Sequence, residues 1–219
     1  MSLREKFEFE LNSAQEELIT LSTMAVSALN KSMEALIGQD VDAALEVIED
    51  DQDINQLEEF INDRVILLIA KQSPVATDLR RLIVTIKVAS DMERVGDYAV
   101  NIAKETIRIG NQELLPQIDQ IQQMQKLAVA MLHQVIDAFV EEDIVKAKEI
   151  AELDDQVDDL YGDVIRKLIQ AGGENPDKLG QITQLAFISR YMERSADHAT
   201  NIAEQLFYLV RGRHYDLNK

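Results

Sequence analysis

The sequence MERVGDYAVNIA at residues 92–103 recurs as MERSADHATNIA at residues 192–203, 100 positions further along the chain. The two stretches share eight of their twelve residues. Self-similarity at a fixed distance is typical of a structural repeat. We therefore interpret the chain as an internal duplication in which each copy carries this stretch on a long helix.

On a helix, each copy of the stretch aligns three oxygen-bearing side chains, because residues at i, i+4 and i+8 share one face. The two rows are Glu93, Asp97 and Asn101, and Glu193, Asp197 and Asn201. Small residues such as Gly96 and Ala196 run beside these rows, and small side chains let another helix approach closely. We expect the acids to border a packed interface. Since like charges at this spacing repel, a bound cation would stabilise the arrangement.

The composition disfavours several classes of partner. The chain has 22 basic and 40 acidic residues and a formal net charge of −18. Nucleic-acid affinity comes largely from Lys and Arg at phosphates, so we expect no nucleic-acid partner. An anionic membrane surface is disfavoured for the same reason. Basic protein surfaces and metal cations suit this charge, and the absence of cysteine is typical of a reducing compartment.

The chain is predicted to be cytoplasmic. No apolar run exceeds six residues, which is too short to cross a bilayer, so we expect no insertion into the membrane. The first residues lead into an acidic amphipathic segment that lacks the apolar centre of a signal peptide.

Apolar residues at helical spacing divide the chain into six long helices. These are predicted over residues 3–37, 41–71, 74–109, 116–140, 143–170 and 176–211. We expect Asp40 to cap the second helix, Ser73 with Pro74 to start the third, and Asn175 with Pro176 to start the sixth. Long helices with short connections pack antiparallel. The predicted fold is all-α, with two tandem antiparallel three-helix bundles, at residues 1–110 and 111–219.

The middle helix of each copy adds a second oxygen-rich pair, Asp51 with Asn55 and Asp154 with Asp158. At ~1.5 Å per residue, Asn55 and Glu93 lie at the same level of the first hairpin, so their helix faces should meet. The match in the second copy is looser. Several carboxylate and amide oxygens from two facing helices suit Mg²⁺, Mn²⁺ or iron. The competing interpretation is that these acids are solvated or form ion pairs with Arg94, Arg194 and Arg64.

Sequence signals of catalysis are absent. A carboxylate-bridged di-iron oxidase needs a Glu-x-x-His pattern, which none of the three histidines (His133, His198 and His214) completes. The chain also has no glycine-rich phosphate loop, no nucleophile elbow and no HExxH. Arg94 and Arg194 have two interpretations, as anion-binding groups or as ion-pair partners of the nearby aspartates. We predict a protein that is not an enzyme. The alternative is a metalloenzyme, a hydrolase or an oxidase.

Several motifs resemble one family. They are DQDINQLE at residues 51–58, PVATDLR at 74–80, DMERVGD at 91–97, DDQVD at 154–158 and RYMERSADHATNIAE at 190–204. This set closely resembles the PhoU proteins over nearly the whole chain. The resemblance implies a cytoplasmic, non-enzymatic negative regulator of phosphate uptake and phosphate-starvation signalling. It implies action on the ATPase subunit of the phosphate ABC transporter and on the phosphate sensor histidine kinase, with the protein as a homodimer.

The resemblance further implies multinuclear iron or zinc clusters held by Glu/Asp-x-x-x-Asp motifs, while manganese and magnesium stay alternatives from the oxygen ligands alone. In this chain the motifs fall on Asp51, Asn55, Glu93, Asp97, Asp154, Asp158, Glu193 and Asp197. Asn55 departs from the all-carboxylate pattern. The first site is therefore expected to bind metal more weakly or to use Glu58 in its place.

Overall fold

The computed structural model describes residues 3–217. Its six helices are α1 (Leu3–Gly38), α2 (Val41–Gln72), α3 (Ala76–Ile109), α4 (Ile118–Glu141), α5 (Ile144–Glu174) and α6 (Leu179–Arg211). A short 3-10 helix, Pro176–Lys178, precedes α6. No strand occurs among residues 3–217, so the all-α prediction and the six predicted helices are confirmed.

The ends of the helices follow local side-chain chemistry only in part. Asp40 accepts a hydrogen bond from the Ala43 amide at 3.0 Å, which confirms it as the N-cap of α2. Asp143 caps α5 in the same way through the Val145 amide. The prediction that Ser73 caps α3 is wrong. Ser73 instead ends α2 in the left-handed conformation, and α3 starts after Val75 without a side-chain cap.

The last helix also begins later than its proline indicates. Pro176 opens the 3-10 helix, and α6 starts at Leu179. The Gly172–Gly173 pair does not break α5, which continues to Glu174. Glycine there has a packing reason, because a β-carbon at Gly172 would lie 3.3 Å from a methyl carbon of Leu179.

Within each repeat the three helices pack on one another, and α3 also packs along α6. Alpha-carbon contacts between α1 and α4 add a smaller connection between the repeats. One hydrophobic core includes residues of all six helices. The division into domains at residues 110 and 111 therefore stays a prediction, since the two repeats share this core.

The rows of small residues lie where the helices approach most closely. Ala99, Ala103, Ala196 and Ala199 are fully buried, as the sequence predicts. At Gly96, a β-carbon would lie 3.2 Å from two side-chain carbons of Ile54 and 3.4 Å from Asp51 Oδ1. This close approach of α2 to α3 places Asp51 at the edge of the packed interface. Across residues 3–217 we find no helix with the length and hydropathy that spanning a membrane requires.

Candidate metal site

The first acidic site consists of Asp51 and Asn55 on α2 and Glu93 and Asp97 on α3. Asn55 Nδ2 donates a hydrogen bond to Asp51 Oδ2 at 3.0 Å. Burial raises the pKa of Asp51, and the charge of Asp97 on the facing helix raises it further. Burial also raises the pKa of Glu93, followed by the charges of Asp97, Glu58 and Asp51. These effects act across the two helices, so the four predicted residues share one site with Glu58 close by.

The second acidic site consists of Asp154 and Asp158 on α5 and Glu193 and Asp197 on α6. Burial raises the pKa of Asp154 to about 6, with further contributions from the charges of Asp197 and Asp158. Burial raises the pKa of Glu193 to about 7, and Asp197 again adds to the rise. The pKa of Asp158 is raised by burial and then by Asp197. The register that looked looser in sequence still brings these four residues together.

Both sites contain buried oxygen atoms that accept no hydrogen bond. They are Asp51 Oδ1, Asn55 Oδ1, Asp154 Oδ1 and Glu193 Oε2. A buried acceptor without a donor costs free energy comparable to a lost hydrogen bond. Glu193 Oε2 lies 3.9 Å from Arg194 Nε, and a bound cation would supply a closer partner for it and for the other three oxygens. Carboxylate and amide oxygens are the ligands that hard cations prefer. The types of oxygen atom at both sites therefore suit a hard metal cation.

The side chains do not form a finished metal site. Within the described part of the chain, no three acidic or histidine side chains are placed so that they could hold one ion together. Each site offers ligands from two helices, and rotation of these side chains would be needed to gather them around a metal. The residue types alone suit a metal site, and its ligands would have to close on binding.

Arginines occupy part of each site. Arg94 Nη1 lies 2.9 Å from Asp97 Oδ2, and Arg194 Nη1 lies 3.1 Å from Asp197 Oδ2. This favours the ion-pair interpretation of the two arginines. Both guanidinium groups are about half exposed, and such pairs typically contribute about 0–1 kcal/mol. The third arginine, Arg64, pairs with Glu10 and Glu17 of α1, so the competing interpretation does not hold for it.

Two residues of the second site, Arg190 and Thr200, are not among those that the sequence predicts. Arg190 forms an ion pair with Glu193, a partner three residues away for which the first repeat has Ser90. Thr200 is buried and lies near enough to Asp154 to influence its pKa. The three-residue spacing of Arg190 and Glu193 was a readable signal. Nothing in the sequence marked Thr200, whose counterpart in the first repeat is Val100.

His198, in the second repeat, contacts two residues of the first repeat. A hydrogen bond of 2.8 Å joins His198 Nδ1 to Asp91 Oδ1 on α3. On its other side, Tyr98 Oη lies 3.5 Å from His198 Nε2. Tyr98 in turn stacks on Tyr191 with ring centroids 5.9 Å apart. His198 therefore serves as a hydrogen-bonding residue at the contact of α3 with α6.

The fold and the two sites define a class of protein. It consists of duplicated three-helix proteins with a partly buried carboxylate cluster between the second and third helices of each copy. The family model described as "PhoU domain" matches the chain twice, over residues 18–106 and 121–206. The chain belongs to the PhoU family. The two matches coincide with the two copies of the repeat.

Relatives and solved structures agree with this assignment. A "Phosphate-specific transport system accessory protein PhoU homolog" of Clostridium acetobutylicum is 37% identical over 98% of this chain and 99% of its own length. The "Phosphate-specific transport system accessory protein PhoU" of Escherichia coli strain K12 is 32% identical over 96% of this chain and 87% of its length. The crystal structure of PhoU from Pseudomonas aeruginosa superposes with a TM-score of 0.90 at 31% identity, covering 94% of this chain and 100% of that one. The phosphate transport system regulatory protein PhoU from Streptococcus pneumoniae gives 0.88 at 32% identity, covering 96% and 99%.

Proposed function

We propose that this protein is a negative regulator of phosphate uptake and of phosphate-starvation signalling. The observation that carries the proposal is the end-to-end similarity to relatives named phosphate-specific transport system accessory proteins. Names of this kind describe a component that acts on a transporter, which supports a role without enzymatic turnover. In this proposal the protein works in the cytoplasm as a homodimer.

The proposed partners are the ATPase subunit of the phosphate ABC transporter and the phosphate sensor histidine kinase. A net charge of −18 favours docking on basic surfaces of such partners, because complementary charge speeds association and suppresses wrong pairings. The first acidic site lies where α2 packs against α3, and the second where α5 packs against α6. A change at either site can therefore alter the outer faces of these helices.

Iron or zinc bound at the two acidic sites completes the proposal, with manganese or magnesium as alternatives. The buried oxygens without hydrogen bonds at Asp51, Asn55, Asp154 and Glu193 support it. A bound metal would supply positive charge that offsets the repulsion among the carboxylates. The protein residues would then hold α2 against α3 and α5 against α6 in one fixed arrangement.

The test is a strain that lacks its own copy of this protein and carries a reporter of the phosphate-starvation response. We expect the full chain to restore repression under abundant phosphate and to co-purify with the ATPase subunit or the sensor kinase. The variant with Glu93, Asp97, Glu193 and Asp197 all changed to Ala should restore less repression. Glu46→Ala with Glu49→Ala is the control, because these exposed carboxylates lie on α2 outside both sites. Failure of the full chain to repress the reporter or to associate with either partner would overturn the proposal.

A further inference from the structure

A second pocket involves none of the acidic-site residues and has the opposite charge. Its volume is about 470 Å³, and it is bounded by the beginning of α5, the end of α6 and the tail after α6. Three permanently cationic side chains line it, together with two aromatic rings and one imidazole: Lys148, Arg211, Arg213, Phe207, Tyr215 and His214. Among residues 3–217, none of those that line the pocket is acidic. We define these six residues as the basic pocket.

The charge of this pocket is opposite to that of the protein as a whole. With a net charge of −18, the chain has 40 acidic residues for 22 basic ones. In residues 3–217, however, no ion pair joins Lys148, Arg211 or Arg213 to a carboxylate. Cations that converge without forming ion pairs repel one another, and an anionic ligand would relieve that repulsion.

The positive field extends beyond the pocket wall. His214 stacks on Tyr208 with ring centroids 4.3 Å apart. The guanidinium of Arg80 and the ammonium of Lys87 also lie over the Tyr208 ring, 5.6 and 5.9 Å from its centroid. Arg80 is held there by a 3.0 Å hydrogen bond from its Nη1 to the Leu209 carbonyl oxygen. Five cationic side chains from α3, α5, α6 and the tail thus collect at one end of the molecule.

The pocket is a formed structure, because the tail is folded back onto α6. The chain reverses at Gly212, whose φ of +70° favours glycine. The Leu217 amide donates a hydrogen bond to Glu204 Oε1 at 2.9 Å. Tyr215 stacks on Phe207 with centroids 5.1 Å apart. These contacts hold Arg213 and His214 beside the helix end.

We propose that the basic pocket binds a nucleotide. Arginine presents a planar set of donors that suits phosphate oxygens, and two arginines with Lys148 would contact the phosphates. The stacked Phe207 and Tyr215 form an aromatic wall against which a base can pack. Small-molecule pockets typically measure about 300–1,000 Å³, a range that includes this one, whereas inorganic phosphate alone would leave the aromatic wall unused. This inference does not depend on the proposed regulatory function.

The experiment is isothermal titration of the full chain with ADP, ATP and inorganic phosphate in separate runs. A chelator is present in each run, so that magnesium cannot link nucleotide to the acidic sites. We expect saturable one-to-one binding of ADP or ATP and weaker binding of phosphate. Changing Lys148, Arg211 and Arg213 to Gln should weaken nucleotide binding by at least about tenfold. Tyr215→Leu should weaken it about fivefold or more through loss of stacking.

The matched control changes Lys126, Arg166 and Lys167 to Gln, which removes the same charge from exposed positions outside the pocket. It should bind nucleotide like the unchanged protein. Arg213→Gln alone serves as a milder variant if the triple change unfolds, as checked by circular dichroism. The proposal is overturned if neither nucleotide saturates, or if the pocket and control variants bind equally. It is also overturned if phosphate binds as tightly as ADP regardless of Tyr215, or if only an acidic peptide binds.

Discussion

Ile54 of α2 packs against Gly96 of α3 so closely that a β-carbon at position 96 would lie 3.2 Å from both Ile54 Cδ1 and Ile54 Cγ2. Ile54 is itself only 2% exposed, so it has little room to move. The second repeat has Ala196 and the smaller Val157 at the corresponding positions. The two repeats thus fill the same space with different pairs of side chains, and each pair keeps an acidic residue beside the contact.

From this contact we predict that Gly96→Ala destabilises the protein by about 1 kcal/mol. Overpacking costs about 1–3 kcal/mol, and the better helix propensity of alanine returns up to about 1 kcal/mol. Ile54→Val alone should cost about 0.5–1.5 kcal/mol. The double variant reproduces the pair found in the second repeat, so its loss should be clearly smaller than the sum of the two single losses. Urea unfolding measures all three, and simple additivity would contradict the prediction.

A second prediction concerns pH in the metal-free protein. The folded-state pKa is about 6 for Asp154 and about 7 for Glu193, whereas both carboxyls have a pKa of about 4 in an unfolded chain. Between pH 4 and 7 the folded state therefore binds more protons than the unfolded state, and stability falls as pH rises. We expect a loss of about 1–3 kcal/mol across this window, since the two groups are coupled and partly screened.

Urea unfolding at pH 5 and pH 7.5 in the presence of a chelator measures this loss. The variant Asp154→Asn with Glu193→Gln keeps the shape of the site and removes both titrations, so its stability should change much less between the two pH values. Glu46→Gln with Glu49→Gln is the control for charge alone, because these side chains are exposed on α2 and do not contribute to the pKa of Asp154 or Glu193. Equal pH dependence in the site variant and the unchanged protein would show that these groups do not titrate as inferred.

The third prediction is that metal stabilises the fold through the acidic sites. A ligand at about 100 times its dissociation constant adds about 2.7 kcal/mol, which for a chain of this size corresponds to a rise in Tm of about 5–10 °C. Protein purified without chelator should contain iron, zinc or manganese by elemental analysis, and chelation should lower its Tm. Both effects should disappear when Glu93, Asp97, Glu193 and Asp197 are changed to Ala. Metal content retained in that variant would place the metal elsewhere.

Most of the fold could be predicted from sequence, because helices of this length have many apolar positions at one spacing. The helix starts at residues 76 and 179 could not, since Ser73 and Pro176 carry the usual signals for a start, but the chain uses them in a turn and a 3-10 helix. The acidic sites were predicted because the repeat showed the same residues twice. The choice between solvated acids and ion pairs could not be made from sequence, since Arg64 reaches α1 through tertiary packing, which residue spacing does not reveal.

The basic pocket was also beyond sequence reasoning. Its cations come from two helices and a tail, and each is unremarkable in its own segment. The turn at Gly212 brings Arg213 and Tyr215 back to the helix end, and only the folded chain shows their proximity to Lys148. Charge patterns within one helix are readable from sequence, whereas convergence across elements requires the structure.

The last prediction addresses the difference between the two sites. Asn55 is the one neutral member among the eight predicted ligands, and its Nδ2 donates to Asp51 Oδ2 at 3.0 Å. Asn55→Asp removes that hydrogen bond and adds a fourth carboxylate beside Asp51, Glu93 and Asp97. Without metal, we expect a loss of about 1–3 kcal/mol, because a partly buried charge gains only like-charged neighbours. With metal, the added charge should raise affinity at the first site by about tenfold, since ligand charge tunes cation binding. The loss of stability without metal and the gain in metal affinity have opposite signs, so thermal unfolding with chelator and with metal separates them.

The control is Asp53→Asn on the exposed side of α2, which should alter neither measurement. If Asn55→Asp destabilises the protein equally with and without metal, the first acidic site is a polar helix contact and not a metal site.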